Sequence, residues 1–132
     1  MDWKHRYNAM RLHSALHLLA GVFDSKFKER AVAGVVKSNS AYLVFKHELL
    51  DNIINRAIEQ ANEDIKNGLE IQTYWDKNRK GFRWCKINGY PPIPCGGLHV
   101  KNAGEIGKID LAGKELEQGK QKITISLIVT RQ

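Results

Sequence analysis

An α+β fold, a mostly antiparallel sheet covered by two main helices, is predicted by three features of this sequence. Two stretches repeat apolar residues at helical spacing. The other apolar runs are short and rich in β-favouring residues. Asn, Gly and Pro punctuate the intervals between them.

The first helix is expected at about residues 3–23, where Tyr7, Met10, Leu16, Leu19, Ala20 and Phe23 recur with the helical period. Asp2 stands where an N-cap would. The charged stretch 24–30 reads as a connection. Residues 31–38 and 41–45 read as short strands around the turn Asn39-Ser40, with Val35, Val36, Tyr42 and Val44 as strand formers. A second helix at 49–66 carries the stripe Leu50, Ile53, Ile54, Ala57, Ile58, Ala61 and Ile65 opposite its charges, and Asn67-Gly68 ends it. Residues 69–75 and 82–87 form an expected hairpin around the polar loop 76–81. Pro91, Pro92 and Pro94 make the following segment turn-rich. Strands are expected at 105–111 and 120–129, the last alternating Ile123, Ile125, Leu127 and Val129 with Thr124, Ser126 and Ile128.

The 132 residues suit one domain with a core of its own. With 42% hydrophobic and 27% charged residues, the composition is that of an ordinary soluble globular protein. A formal charge of +7 favours polyanionic partners, nucleic acid first, although a surface rich in Lys and Glu has the same composition. Two cysteines, Cys85 and Cys95, do not make a secreted disulfide scaffold. The apolar run 16–23 is too short to span a bilayer, and the N-terminus has no signal-peptide pattern. A cytoplasmic protein with no membrane partner is expected.

The most telling residues are two pairs at i, i+4 spacing. His13-Ser14-Ala15-Leu16-His17 lies in the first helix, which places both imidazoles on one face. Cys95-Gly96-Gly97-Leu98-His99 lies late in the chain. Each pair alone is a weak signal, but together they supply four soft or borderline donors suited to one zinc ion. Gly96 and Gly97 let the backbone pass close to a ligand and turn N–H groups inward. Ser14, not Glu, follows the first histidine, unlike a thermolysin-type protease. The Cys-x-x-Cys pair of nucleoside deaminases is missing. One thiolate with two or three neutral imidazoles leaves net positive charge on zinc, so water activation and a closed structural clip are both open.

The motifs His13-Ser14-Ala15-Leu16-His17-Leu18-Leu19, Pro94-Cys95-Gly96-Gly97-Leu98-His99-Val100-Lys101-Asn102 and Gly104-Glu105-Ile106-Gly107 resemble the editing domain of alanyl-tRNA synthetase. They are closer still to the free-standing alanyl-tRNA editing proteins, AlaX. The threonyl-tRNA synthetase editing domain is a more distant relative. The resemblance covers nearly the whole chain and implies a single aminoacyl-tRNA editing domain over 1–132. It implies a zinc-dependent hydrolase that deacylates mischarged tRNA at its 3′ acceptor end, chiefly Ser-tRNA(Ala), with Gly-tRNA(Ala) a second candidate. The implied ligands are His13, His17, Cys95 and His99, holding one zinc per chain. Longer members carry an N-terminal β-barrel with a Gly-Gly-Gln-Pro motif that does not occur here, which implies the short type. Where the family commonly has Thr after the two glycines, this chain has Leu98.

On this reading the backbone N–H groups of Gly96 and Gly97 are candidates to steady an oxyanion. Ser14, Ser38 and Leu98 are candidates for the substrate pocket. Lys77, Arg79, Lys80 and Arg83, with Trp84, are placed to meet acceptor-stem phosphates, a solvated hairpin tip being the alternative. Trp3, Trp75 and Trp84 read as core or edge packing and not as a base-stacking platform, and Cys85 as a small buried hydrophobe. His5 and His47 receive no role. Two other function classes remain: a non-catalytic tRNA-binding module with structural zinc, and a zinc hydrolase of another small ester or amide.

Overall fold

The computed structural model describes residues 3–95, 97 and 99–128. Helix α1 (Trp3–Phe27) is the axis of the molecule. Its buried residues Leu12, Ser14, Ala15, Leu16, Leu18, Leu19, Val22 and Phe23 include consecutive positions and so point in several directions. A helix apolar on most sides must be enclosed. Helix α2 (Asp51–Asn67) and strand β2 (Ala41–Phe45) are among its neighbours. The helix runs past the expected end at residue 23 because Asp24, Ser25 and Lys26 lie on its exposed side, where charge is tolerated. Lys26 suits the negative end of the helix, and Lys28, with φ 56°, turns the chain away.

Helix α2 buries Ile54, Ala57, Ala61 and Ile65, as the stripe predicts, and Gly68 closes it at φ 68°. Leu50 falls outside the helix as its N-cap residue and is exposed, so it does not belong to the stripe.

The expected antiparallel strands form, but as two sheets. The larger has the order β1-β2-β7-β6, with β1 (Ala33–Val36), β6 (Ile109–Glu117) and β7 (Lys120–Leu127). Alternation sends Ala41, Leu43 and Phe45 of β2, and Ile123 and Ile125 of β7, into the core. β6 and β7 meet at Gln118-Gly119, both at positive φ (52° and 78°), the geometry of a primed hairpin turn. The smaller sheet has the order β3-β4-β5, with β3 (Ile71–Trp75), β4 (Arg83–Ile87) and β5 (Ile93–Pro94).

The strand expected at 105–111 begins later, at Ile109, and continues to Glu117. A 3₁₀ turn (Ala103–Ile106) occupies its expected start. Asn102 accepts from the Gly104 N–H at 2.8 Å, and Glu105 accepts from the Lys101 and Asn102 N–H groups at 3.1 and 3.2 Å. These local side-chain bonds form a capping box, an alternative to the ladder that apolar pattern alone does not register. Asp2 and Val129 lie outside the described residues. No helix among the described residues is long and apolar enough to cross a membrane.

Candidate metal centre

The two motifs meet. Helix α1 presents His13 and His17 one turn apart, their rings 4.5 Å between centroids. The segment after β5 carries Cys95 and His99 to the same place. The Cys95 N–H donates to the Arg83 carbonyl at 2.9 Å, so strand pairing holds the ligand segment against β4. Cys95 Sγ lies 3.3 Å from His13 Nε2 and 3.3 Å from His99 Nε2. The His13 and His99 rings stack at 4.1 Å. One donor atom from each of His13, His17, Cys95 and His99 lies within 4.8 Å of the other three.

These residues fit a divalent metal. A zinc ion about 2.0–2.3 Å from each donor would hold the donors roughly 3.3–3.8 Å apart, a small contraction from the observed cluster. His17 Nδ1 is buried with no hydrogen-bond partner among the described residues, an arrangement that is unfavourable unless something accepts the lone pair or the proton. Burial, and then the charge of His13, pushes His17 down to about 4. Burial, followed by His13, His17 and Arg83, pushes His99 down to about 3. Neutral imidazoles keep the lone pairs that metals need.

Gly97 is what lets the segment pass. A Cβ there would stand 2.2 Å from His13 Cε1, so any side chain would displace the ring. Its N–H faces Cys95 Sγ at 3.4 Å. Gly96 and Leu98 lie outside the described residues.

Ser14 does not line an open pocket. It is fully buried, its Oγ lies 3.0 Å from His99 Nδ1, and it accepts from the Val100 N–H at 3.0 Å. Such a partner orients a ligating histidine and sets its tautomer. The signal was present in the sequence: apart from the histidines, Ser14 is the one polar residue between Leu12 and Phe23. Ser38 is exposed and borders a separate hollow with Lys4, Asn8, Arg11 and Leu127.

The space beside the cluster is a hollow of about 540 Å³ bordered by His13, His17, Leu16, Ala20, Gly34 and Val36, among others. Its far wall is β1, an edge strand. The Lys37 N–H donates to the Ser40 carbonyl at 2.7 Å. By alternation Ala33 and Val35 then bond to β2, which turns the peptide groups of Gly34 and Val36 outward.

The hairpin cations divide. Arg79 pairs with Asp76 at 3.6 Å and covers the Phe82 ring at 4.0 Å. Asp76 also accepts from the Trp84 indole at 2.8 Å, which with the Asn78 N–H holds its carboxyl below the ordinary range. Arg83 is half-buried and donates to Thr73 Oγ1 at 2.8 Å, whereas Lys77 and Lys80 are exposed. Two of the expected packing residues lie at the surface and not in the core: Trp3, 67% exposed, stacks on Tyr7, and Trp75 is 65% exposed. Cys85 is buried as expected, and burial pushes its thiol up to about 11.

No family model matches the chain. Curated relatives do. The alanyl-tRNA editing protein AlaX-M of Pyrococcus horikoshii is 32% identical over 132 residues, covering 96% of this chain and 60% of that protein. AlaX-M of Saccharolobus solfataricus is 30% identical over 93% of this chain and 60% of its own length. AlaX-L of Pyrococcus horikoshii is 28% identical over 83% of this chain and 31% of its own length. The chain is thus similar to free-standing alanyl-tRNA editing proteins along most of its length, as its motifs implied. It spans 60% of the AlaX-M proteins named.

Proposed function

We propose that residues 1–132 form one aminoacyl-tRNA editing domain, a zinc-dependent hydrolase that deacylates mischarged tRNA in the cytoplasm. The substrate that the resemblance implies is Ser-tRNA(Ala), with Gly-tRNA(Ala) as a second. The observation that carries this reading is the convergence of His13, His17, Cys95 and His99 beside an open hollow. Similarity to alanyl-tRNA editing proteins supports it.

One thiolate and three imidazoles would hold the zinc, which when bound supplies a Lewis acid for the ester carbonyl and a water of lowered pKa. The chain's own residues do the rest. Ser14 keeps the His99 ring in register. The Gly97 N–H steadies the Cys95 sulfur. The hollow between α1 and β1 receives the aminoacyl group against Leu16, Ala20 and Gly34. The outward peptide groups of Gly34 and Val36 are hydrogen-bonding partners for a seryl hydroxyl. An alanyl group forgoes these bonds, which favours the residue that carries the hydroxyl.

The test is deacylation of seryl-, glycyl- and alanyl-tRNA(Ala) by the wild type, the zinc-free protein and Cys95→Ala, with zinc quantified. Loss of zinc and of seryl release together, with alanyl-tRNA spared, is the expected result. Retained activity without zinc would falsify the metal-dependent reading. Zinc binding without release of any amino acid would make the chain a tRNA-binding module with a structural clip. Hydrolysis of serine ethyl ester at a rate matching the tRNA substrate would point to a small-ester hydrolase.

A further inference from the structure

We propose that the exposed indole of Trp75 stacks a base of the single-stranded 3′ end of the tRNA while Arg83 holds the adjoining phosphate. This rests on the tRNA reading above and adds a docking platform to it.

The argument starts from strand register. Trp75 on β3 stands directly opposite Arg83 on β4. Arg83 stands opposite Cys95, because Trp84 pairs with Pro94 and the Cys95 N–H bonds to the Arg83 carbonyl. Directly opposed residues in antiparallel strands share a face. Trp75, Arg83 and Cys95 therefore form a lateral row across the small sheet that ends on a metal ligand. At about 4.8 Å per strand, Trp75 sits roughly 10 Å from Cys95. That spacing is within reach of a nucleotide adjoining an ester held at the cluster.

The chemistry of the row fits that occupant. Trp75 is 65% exposed, whereas indoles are usually largely buried. The Arg83 guanidinium carbon lies 5.8 Å from its ring centroid. Lys77 and Lys80 add positive charge at the same hairpin end, and the chain carries +7 overall. Aromatic faces beside cations are how proteins hold single-stranded nucleic acid without reading its sequence. The tip is preset: Asp76 Oδ1 accepts from the Asn78 and Arg79 N–H groups at 2.8 and 3.0 Å.

The experiment uses two uncharged RNA minihelices of one acceptor stem, one ending in a single-stranded ACCA tail and one blunt, with binding read by fluorescence anisotropy at fixed salt. The wild type is expected to prefer the tailed RNA. Trp75→Ala should weaken tailed binding by roughly 5- to 100-fold, the usual effect of removing one base–aromatic stack, and leave blunt binding unchanged. Trp75→Tyr should keep most of the preference and Trp75→Leu should lose it, which separates a π-face from apolar bulk. Equal tailed binding by Trp75→Ala and the wild type overturns the proposal, as does equal loss on both RNAs. A wild-type dimer that Trp75→Ala dissolves would instead assign the patch to a second copy of the chain. The outcomes are separable from the hydrolase reading. Tail preference lost in Trp75→Ala without deacylation by the wild type keeps the platform and discards the enzyme. Deacylation with no Trp75 effect does the reverse.

Discussion

The two sheets are built from similar short antiparallel strands, yet the central strands of the larger and the outer end of the smaller treat their apolar residues in opposite ways. In the larger sheet, Leu43, Phe45, Ile123 and Ile125 are buried at 3% exposure or less, beneath α1. In the smaller sheet, Ile71, Cys85 and Ile87 anchor one end, whereas Tyr74 and Trp75 at the other are 42% and 65% exposed. The open end is the one that delivers Cys95 to the metal centre. Burial is continuous along the inner face of β2 and β7 and runs out at the end of the small sheet beside the metal centre.

The sharpest way to break that contrast is Ile123→Ala. It should cost about 2–5 kcal/mol in denaturant unfolding, as a core truncation does, while Trp75→Ala should stay within about 0.5 kcal/mol of the wild type. A large loss from Trp75→Ala would mean the small sheet also depends on its outer end for stability.

Next in size is Gly97→Ala. Its Cβ would collide with the His13 ring, so zinc affinity measured by chelator competition should fall by about 100-fold or more. An unchanged affinity would show that His13 is not held where the geometry places it.

Ser14→Ala should be milder for the metal, about tenfold in affinity, because it removes a partner of a ligand and not the ligand itself. It should also cost about 1–3 kcal/mol, since the buried Val100 N–H loses its acceptor. A variant that keeps both quantities would remove Ser14 from the positioning role.

Tyr90→Phe gives the smallest effect and sharpens the contrast at the buried end. Tyr90 donates to Asp64, which Gln60 also bonds at 3.0 Å, tying the turn after β4 to α2. Burial first, and then this bond, raises the Tyr90 phenol above its ordinary value. A folded pKa raised in this way stabilises fully below the unfolded value of about 10 and is lost as pH rises beyond it. Tyr90→Phe should therefore be about 1 kcal/mol less stable at neutral pH and show a shallower fall in stability above about pH 10. An identical alkaline limb in the two proteins would discard the linkage.

Much of the fold was legible because the signals are local. The stripe of α2 and the alternation of β7 each repeat within a few residues, so periodicity located them closely. The ends of α1 and β6 were not legible in that way. Polar residues 24–26 sit on an outer helix face that only packing defines, and the capping box of Asn102 and Glu105 competes with strand formation through side-chain bonds. The ligand set stood out because two i, i+4 pairs fall in unusual surroundings. The burial of Ser14 behind His99 was not legible, because His99 reaches it from a segment 85 residues away in the chain.

The sequence by itself pointed to the four residues that can ligate, since that depends on residue type and, for His13 and His17, on helical period. That their donors come within 4.8 Å, that the Gly97 N–H serves the sulfur, and that Trp75 shares a row with Cys95 are tertiary facts. They depend on how a buried helix and a three-stranded sheet pack, contacts between residues far apart in the chain that no local pattern encodes.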